Sequence, residues 1–374
     1  MHNVITSPQV RLMRREDGWS AMDIATRQRW SISDSQAEAL NHCRVLQPHG
    51  CMIERYSREM VDTLLSRGLL WNDQQLWNAN AIRAVEIETT TFCNWKCAYC
   101  PSSGAKRERE VMPLPLFDQI LQRIAAWPEI RCVTLHYFNE PTLDPLFEQR
   151  VERIHRQGLR LLLFTNGSGL NRNRLETLAA SGIVEQIYFT FPSCDEAEFN
   201  RLTGTVGQFS HSDGMIRTAT ALGLDVRLSV QGEREGKKER LRSICQWFGL
   251  SRSQIAPWET FDRAGNLDGV ACCSHTRVDR PRLAGCSHIL QRLYVDVQGN
   301  LLLCDQDFAK TARFGSVCGA DFDELLHTRR AQQYKRWIFG AQEAPDDFLC
   351  RRCQRMQNTL QRQRKEAAVR KPPK

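Results

Sequence analysis

From Ala81 to about Gly269 the chain alternates six times between a short apolar run and an amphipathic stretch. The apolar runs are Ile82 to Thr89, Cys132 to Phe138, Arg160 to Thr165, Glu185 to Phe191, Asp225 to Val230 and Gln254 to Glu259. Between them lie Leu114 to Trp127, Pro145 to Gln157, Arg172 to Ser181 and Lys237 to Phe248, each spaced as a helix with one apolar face. Strands separated by helical crossovers pair in parallel, because a crossover returns the chain to the end it started from. Six such units predict either an open doubly wound sheet or a partial barrel. In both, ligands gather at the carboxyl ends of the strands, so the loops that follow strands are where chemistry is expected.

The flanks differ in kind. Before Asn80, the stretches Val10 to Arg14, Trp19 to Ile24 and Arg29 to Ile32 read as a small antiparallel meander. Ser33 with Gln36 three residues on predicts a capping box and a helix to about Arg44. Pro48 and Gly50 then break the chain, Ser57 starts a second helix and Gly68 stops it. After residue 270 the pattern reduces to a hairpin, Arg292 to Val297 and Leu301 to Cys304, turning at Gln298-Gly299-Asn300. The expected division is 1–80, 81–269, 270–355 and a tail over 356–374.

Charge and targeting exclude several classes. The net charge of +8 resides in Arg351 to Lys374, with nine basic residues against Glu366, while the remainder balances at 42 against 42. A neutral body with a basic tail is not a globally basic nucleic-acid binder. No apolar run approaches the roughly 18 residues of a membrane span, and residues 1–17 carry no signal-type stretch, so a cytoplasmic location is expected. An odd count of fifteen cysteines argues against a disulfide framework and for metal ligands or reactive thiols.

Three of those thiols stand in the loop after the first strand: Cys93-Asn94-Trp95-Lys96-Cys97-Ala98-Tyr99-Cys100. The spacing C-x3-C-x2-C lets them converge on one metal centre. A structural zinc site would need a fourth ligand close by, yet the next cysteine is Cys132 and the next histidine His136. Three ligands suit an iron–sulfur cube with one open iron.

This motif, with an aromatic before its last cysteine and a strand–helix repeat around it, resembles the radical S-adenosylmethionine (SAM) superfamily. The resemblance implies an α/β fold built on a (β/α)6 partial barrel. Cys93, Cys97 and Cys100 would hold a [4Fe-4S] cluster, and SAM would occupy the open iron. One electron would then cleave SAM to a radical that abstracts hydrogen from the substrate. The segment Phe138-Asn139-Glu140-Pro141 stands where the family has Gly-Gly-Glu-Pro, and Phe164-Thr165-Asn166-Gly167 is similar to its Thr-Asn-Gly. Tyr99, Asn139, Glu140, Asn166 and the strand-end Thr190 are the residues this implies for SAM binding.

Cys286, Gly299 and Cys304, followed by Cys350-x2-Cys353, resemble the SPASM extension of such enzymes in its shortened form. The four cysteines would hold an auxiliary [4Fe-4S] cluster; a four-cysteine zinc site is the alternative. Cys318 is a spare candidate ligand. For Cys272 and Cys273 three readings stand: one thiol as a hydrogen-atom donor to a substrate radical, an auxiliary-cluster ligand, or ordinary loop cysteines. Cys43, Cys51, Cys132, Cys194 and Cys245 are expected to pack as small apolar residues.

The front 80 residues resemble the winged recognition element of ribosomal peptide maturation enzymes, which captures a leader by strand addition. Together these imply a radical SAM enzyme that modifies a ribosomally made precursor peptide by epimerisation, crosslinking or oxidation, with a flavodoxin- or ferredoxin-type electron donor. A dehydrogenase of a small molecule, such as an aminoglycoside, is the rival within this chemistry. A zinc-stabilised nucleic-acid-binding protein is the rival outside it.

Overall fold

The computed structural model describes residues 3–23, 26–44, 46–232, 236–259, 262–267, 283 and 285–368. They form two compact units: Met1–Ala81 with Thr276–Gln291 and Leu326–Lys374, and Ile82–His275 with Arg292–Leu325. Cys272 and Cys273 lie outside the described residues, as does the tail beyond Ala368.

The first unit opens with two three-stranded sheets. Strands β1 (Asn3–Thr6), β5 (Gln47–Pro48) and β6 (Leu70–Asn72) form one, with β1 in the middle. Strands β2 (Val10–Arg15), β3 (Gly18–Asp23) and β4 (Arg29–Ile32) form the other, the expected antiparallel meander. The Ser33–Gln36 capping box is present and starts α1 (Asp34–His42). Its apolar face, with α2 (His49–Tyr56) and α3 (Arg58–Ser66), buries Leu40, Met52, Val61 and Leu64. The expected break at Pro48-His49-Gly50 is corrected: α2 begins directly at His49. Proline cannot extend a helix backwards but is tolerated at its entry, where its missing N–H costs nothing. Cys51 is also corrected, being exposed on α2 rather than packed, whereas Cys43 is buried. A second capping box, Asn72 with Gln75, starts α4 (Asp73–Asn78).

The second unit is built on the six predicted strands: β7 (Ala84–Ile87), β8 (Cys132–Thr134), β9 (Arg160–Thr165), β10 (Val184–Thr190), β11 (Val226–Gly232) and β12 (Ile255–Glu259). All five pairings between them are parallel, and the strand order is sequential without reversal. A doubly wound sheet reverses its order at a switch point; this one winds in one direction, as a barrel wall does. Val85, Val133 and Leu161 are neighbours across three strands and fully buried, so one face packs on the helices. Those helices are α5 (Leu114–Ala125), α6 (Phe147–Arg156), α7 (Arg172–Ser181), α8 (Glu196–Thr203), α9 (Phe209–Ala221) and α10 (Lys237–Phe248). In α5 the buried set Phe117, Ile120, Leu121 and Ile124 has the spacing of a single helical face. Strands β7 and β8 end well before their expected ends, at Ile87 and Thr134, because the chain turns into the loops described below.

The predicted hairpin is β13 (Arg292–Val295) and β14 (Asn300–Leu302), closed on Asp296, whose carboxylate accepts from the N–H groups of Gln298 and Asn300. It does not stand apart. Strand β13 pairs in parallel with β7, and β15 (Arg313–Ser316) completes a nine-stranded sheet. The edge of the first barrel strand is thereby covered, which removes a row of unpaired backbone groups. The later helices are α11 (His288–Gln291), α12 (Phe322–His327), α13 (Arg329–Ile338) and α14 (Gln354–Ala368). Within the first unit, α13 is pinned by Lys335, fully buried and donating to the carbonyls of Trp77 and Ala79. Among the described residues no helix is long and apolar enough to cross a membrane.

Candidate active site

The loop over residues 89–101 leaves the carboxyl end of β7 and is held from several sides. The returning segment 110–112 brackets its start: Met112 N–H donates to Thr89 O, Thr91 N–H to Glu110 O, and Thr90 bridges Val111. Its middle lies on the end of α8, with Lys96 N–H donating to Thr203 O and Ala98 N–H to Leu202 O. Trp95, buried, sets its ring against Phe199 edge-on at 5.6 Å. Lys96 approaches so closely that a Cβ on Gly204, whose φ is +62°, would lie within 2.8 Å of Lys96 Cβ. Only glycine allows that approach.

This scaffolding brings Cys93, Cys97 and Cys100 close enough that Cys97 feels the charge of both others and Cys93 that of Cys100. Burial pushes the Cys93 thiol up to about 12, with the Glu140 carboxylate adding to the effect, and it pushes Cys97 higher still. Such thiols ionise only beside a strong positive charge, which iron supplies. The donor set therefore fits an iron–sulfur cluster. Among the described residues, no three His, Cys, Asp or Glu side chains close round a single-ion position. Tyr99 is buried between the last two thiols; its hydroxyl sits beside the Cys97 sulfur without a partner at full hydrogen-bond geometry.

Glu140 follows β8 and is almost completely buried. Its Oε1 accepts from Thr142 N–H at 3.1 Å and from the hydroxyls of Thr142 and Thr165 at 2.6 Å. Its Oε2 accepts from Asn166 N–H at 2.6 Å. The carboxylate thus ties the ends of β8 and β9 together and keeps lone-pair capacity on Oε2. Burial nevertheless raises its pKa, the hydrogen bonds opposing. The Asn139 amide is engaged with the main chain, accepting from Tyr137 N–H and donating to Leu135 O. Asn166 reaches into the cysteine loop: its Nδ2 donates to Asn94 Oδ1 at 3.1 Å and to Cys93 Sγ at 3.8 Å. Thr190 ends β10 level with Ser229 on β11, half-buried.

Sequence reasoning did not single out the aromatic residues on the sheet's other face. Phe164 and Tyr188 are register partners and stack 4.4 Å apart at 7°, and His136 stacks on Phe164 at 5.6 Å. They stand two residues before Asn166 and Thr190 on their strands, so the same face carries both sets. The period-2 alternation was the available signal. Tyr137 was missed as well. Its hydroxyl lies 2.9 Å from Cys304 O and 2.8 Å from Asp307 O, and Cys100 and Cys304 both pack against Tyr137, Phe138, Tyr294 and Leu302.

Of the other thiols, Cys350 and Cys353 are buried in the first unit. Burial raises Cys353 to about 11, with the charge of Cys286 adding to it. Cys318 is exposed.

Two sequence families match this chain. The Radical SAM superfamily matches residues 87–241, and an iron–sulfur cluster-binding domain, SPASM, matches residues 286–354. A SAM-dependent 2-deoxy-scyllo-inosamine dehydrogenase of Niallia circulans is 22% identical over 280 residues, 72% of this chain and 91% of the relative. A cofactor-modifying protein for a tungsten-containing aldehyde ferredoxin oxidoreductase, from Pyrococcus furiosus, is 32% identical over 104 residues, 28% of this chain and 29% of that protein. Among solved structures, Streptococcus suis SuiB bound to its precursor peptide SuiA aligns over 94% of this chain and 93% of its own, with TM-score 0.58 and 12% identity.

Proposed function

The chain is a radical SAM enzyme with a SPASM domain, and from that premise we propose that it modifies a ribosomally made precursor peptide. The observation that carries this reading is the extent of the likeness to SuiB, 94% of the chain, which takes in the front segment as well as the barrel. That segment offers a place for a leader: β4 pairs with β3 alone among the described residues, so its outer edge can accept an added strand.

The chemistry that a bound cluster and SAM supply is hydrogen-atom abstraction from a carbon. In this proposal Cys93, Cys97 and Cys100 ligate the cluster. Glu140 and Asn166 fix the strand ends around it, Tyr99 walls it from solvent, and Thr190 offers a hydroxyl to SAM. The half-buried rings of His136, Phe164 and Tyr188 line the face on which substrate would rest. Cys286, Cys304, Cys350 and Cys353 are the proposed ligands of an auxiliary cluster that takes up an electron in an oxidation or crosslinking reaction. One of Cys272 and Cys273 is proposed as the hydrogen donor of an epimerisation. A division at residues 80, 269 and 355, and a cytoplasmic location, belong to the same proposal.

Mass spectrometry of a precursor peptide co-expressed with the enzyme tests it. Loss of two hydrogens marks oxidation or crosslinking, whereas an unchanged mass with one deuterium gained in D2O marks epimerisation. A peptide left without either change overturns the reading. The Niallia relative favours a second one, oxidation of a small amino alcohol, because 91% of that enzyme's length aligns here. Conversion of such a substrate, with no peptide bound at the front segment, would select it.

A further inference from the structure

We propose that the outer face of the cysteine loop, centred on Lys96 and Arg109, is the docking surface for an acidic one-electron carrier protein. Two sets of observations meet there. The first is charge. Lys96 lies between Cys93 and Cys97 and is exposed. Arg109, also exposed, places its guanidinium 3.8 Å above the ring of Phe92, the residue before Cys93. Neither cation has an ion-pair partner among the described residues, although most other arginines of the barrel do. Two unneutralised cations therefore flank one candidate ligand.

The second is apolar surface. Only three large hydrophobic side chains are exposed among the described residues: Val111, Val206 and Trp247. Two of them sit on segments bonded to this loop. Val111 bridges Thr90, two residues along from Arg109. Val206 is 90% exposed and follows Gly204, which contacts Lys96. A valine so exposed gains nothing for the fold, whereas apolar side chains rimmed by charge mark protein contacts. Cations around a small apolar centre fit a partner of acidic surface, and opposite charge speeds encounter more than it tightens the complex.

The position explains why the partner would be an electron carrier. Radical SAM chemistry takes in one electron per cleavage, and the thiols that would hold the accepting iron belong to the same loop as Lys96. The carrier is oxidised by one electron, the cluster is reduced by one, and no atom changes hands. The inference rests on the radical SAM reading, which reduction by dithionite, a small molecule needing no docking, tests separately.

The experiment uses the full chain with reconstituted iron, an acidic bacterial flavodoxin as the probe, and the variants Val206→Asp and Lys96→Glu/Arg109→Glu. Calorimetry gives the affinity for oxidised flavodoxin. Stopped-flow absorbance gives the rate of cluster reduction by its hydroquinone and, in parallel, by dithionite. The expected result is about a tenfold loss of affinity and of the flavodoxin rate in each variant. Raising salt should slow the unmodified protein towards the charge-reversed one. The dithionite rate should change less than about twofold, as befits weakly screened surface charges. Val206→Asp, at a position 90% exposed, leaves the fold intact, so its outcome is readable even if the double variant misfolds. Equal slowing with both reductants, or no slowing with flavodoxin, overturns the proposal.

Discussion

The side-chain amide of Asn166 donates to the Cys93 sulfur at 3.8 Å while its own main-chain N–H donates to Glu140 at 2.6 Å. The end of β9 is thus coupled at once to the cysteine loop and to the loop after β8. A hydrogen bond to a cluster sulfur stabilises the more negative, reduced state and so raises the reduction potential. Asn166→Leu should lower it. A long bond to sulfur is worth less than the usual 1 kcal/mol, so the shift should be roughly 20–40 mV for one electron. A redox titration followed by electron paramagnetic resonance reads this directly. Unchanged potential at full iron content would mean that Asn166 serves only the backbone.

Gly204 answers a different question, namely what holds the middle of the loop. Any side chain there meets Lys96, and the φ of +62° adds strain for an L-residue. Gly204→Ala should cost about 1–3 kcal/mol and, because Lys96 lies between two of the thiols, reduce the iron bound. Thermal unfolding and iron per chain, measured on the same preparation, give both quantities. Normal iron content with a lowered Tm would show that the loop tolerates displacement without losing its ligands.

The strands of the barrel were legible because each is a local apolar run bounded by turn residues, and all six appear within a few residues of their expected places. The three thiols were legible because their spacing is a local pattern. What sequence did not show is non-local. That β13 docks on β7 depends on hydrogen bonds such as Glu88 N–H to Val295 O, across two hundred residues. Helices α8 and α9 were not singled out; a short turn containing Gly204 and Gly207 joins them between two strands. The Asn139 amide, a SAM-site residue by resemblance, accepts from Tyr137 N–H and donates to Leu135 O. A side chain's partner is chosen by the fold, and no spacing rule encodes it.

Beneath the cysteine loop, Arg150 and Asp144 form an ion pair at 2.8 Å with both side chains fully buried. The guanidinium also reaches Met112 O at 2.5 Å, joining α6 to the segment that brackets the loop. Asp144→Ala strands a buried cation and should cost about 3–5 kcal/mol. Asp144→Leu with Arg150→Met removes both charges together and should recover most of that loss, since an apolar pair of similar volume packs without a desolvation penalty. Urea unfolding of the two variants separates these outcomes. Equal destabilisation would show that the carbonyl contacts of Arg150, not its charge balance, carry the effect.

His136 sets an acid limit on the barrel. Burial first, and the charge of Arg263 second, hold its imidazole down from 6.5 to about 4, with Asp305 opposing. As pH falls below 6.5 the unfolded chain takes up a proton that the folded chain refuses until about pH 4. The stability His136 contributes is therefore complete above 6.5 and is lost on the way down to 4. The whole shift would be worth about 3 kcal/mol. Because part of the ring meets solvent, about 1–2 kcal/mol is the better expectation. His136→Phe keeps the stack on Phe164 and removes the titration. Its loss of stability between pH 7.5 and pH 4.5, read from urea midpoints, should be smaller than that of the unmodified protein by about that amount. Parallel losses in the two proteins would assign the acid sensitivity to the carboxylates instead.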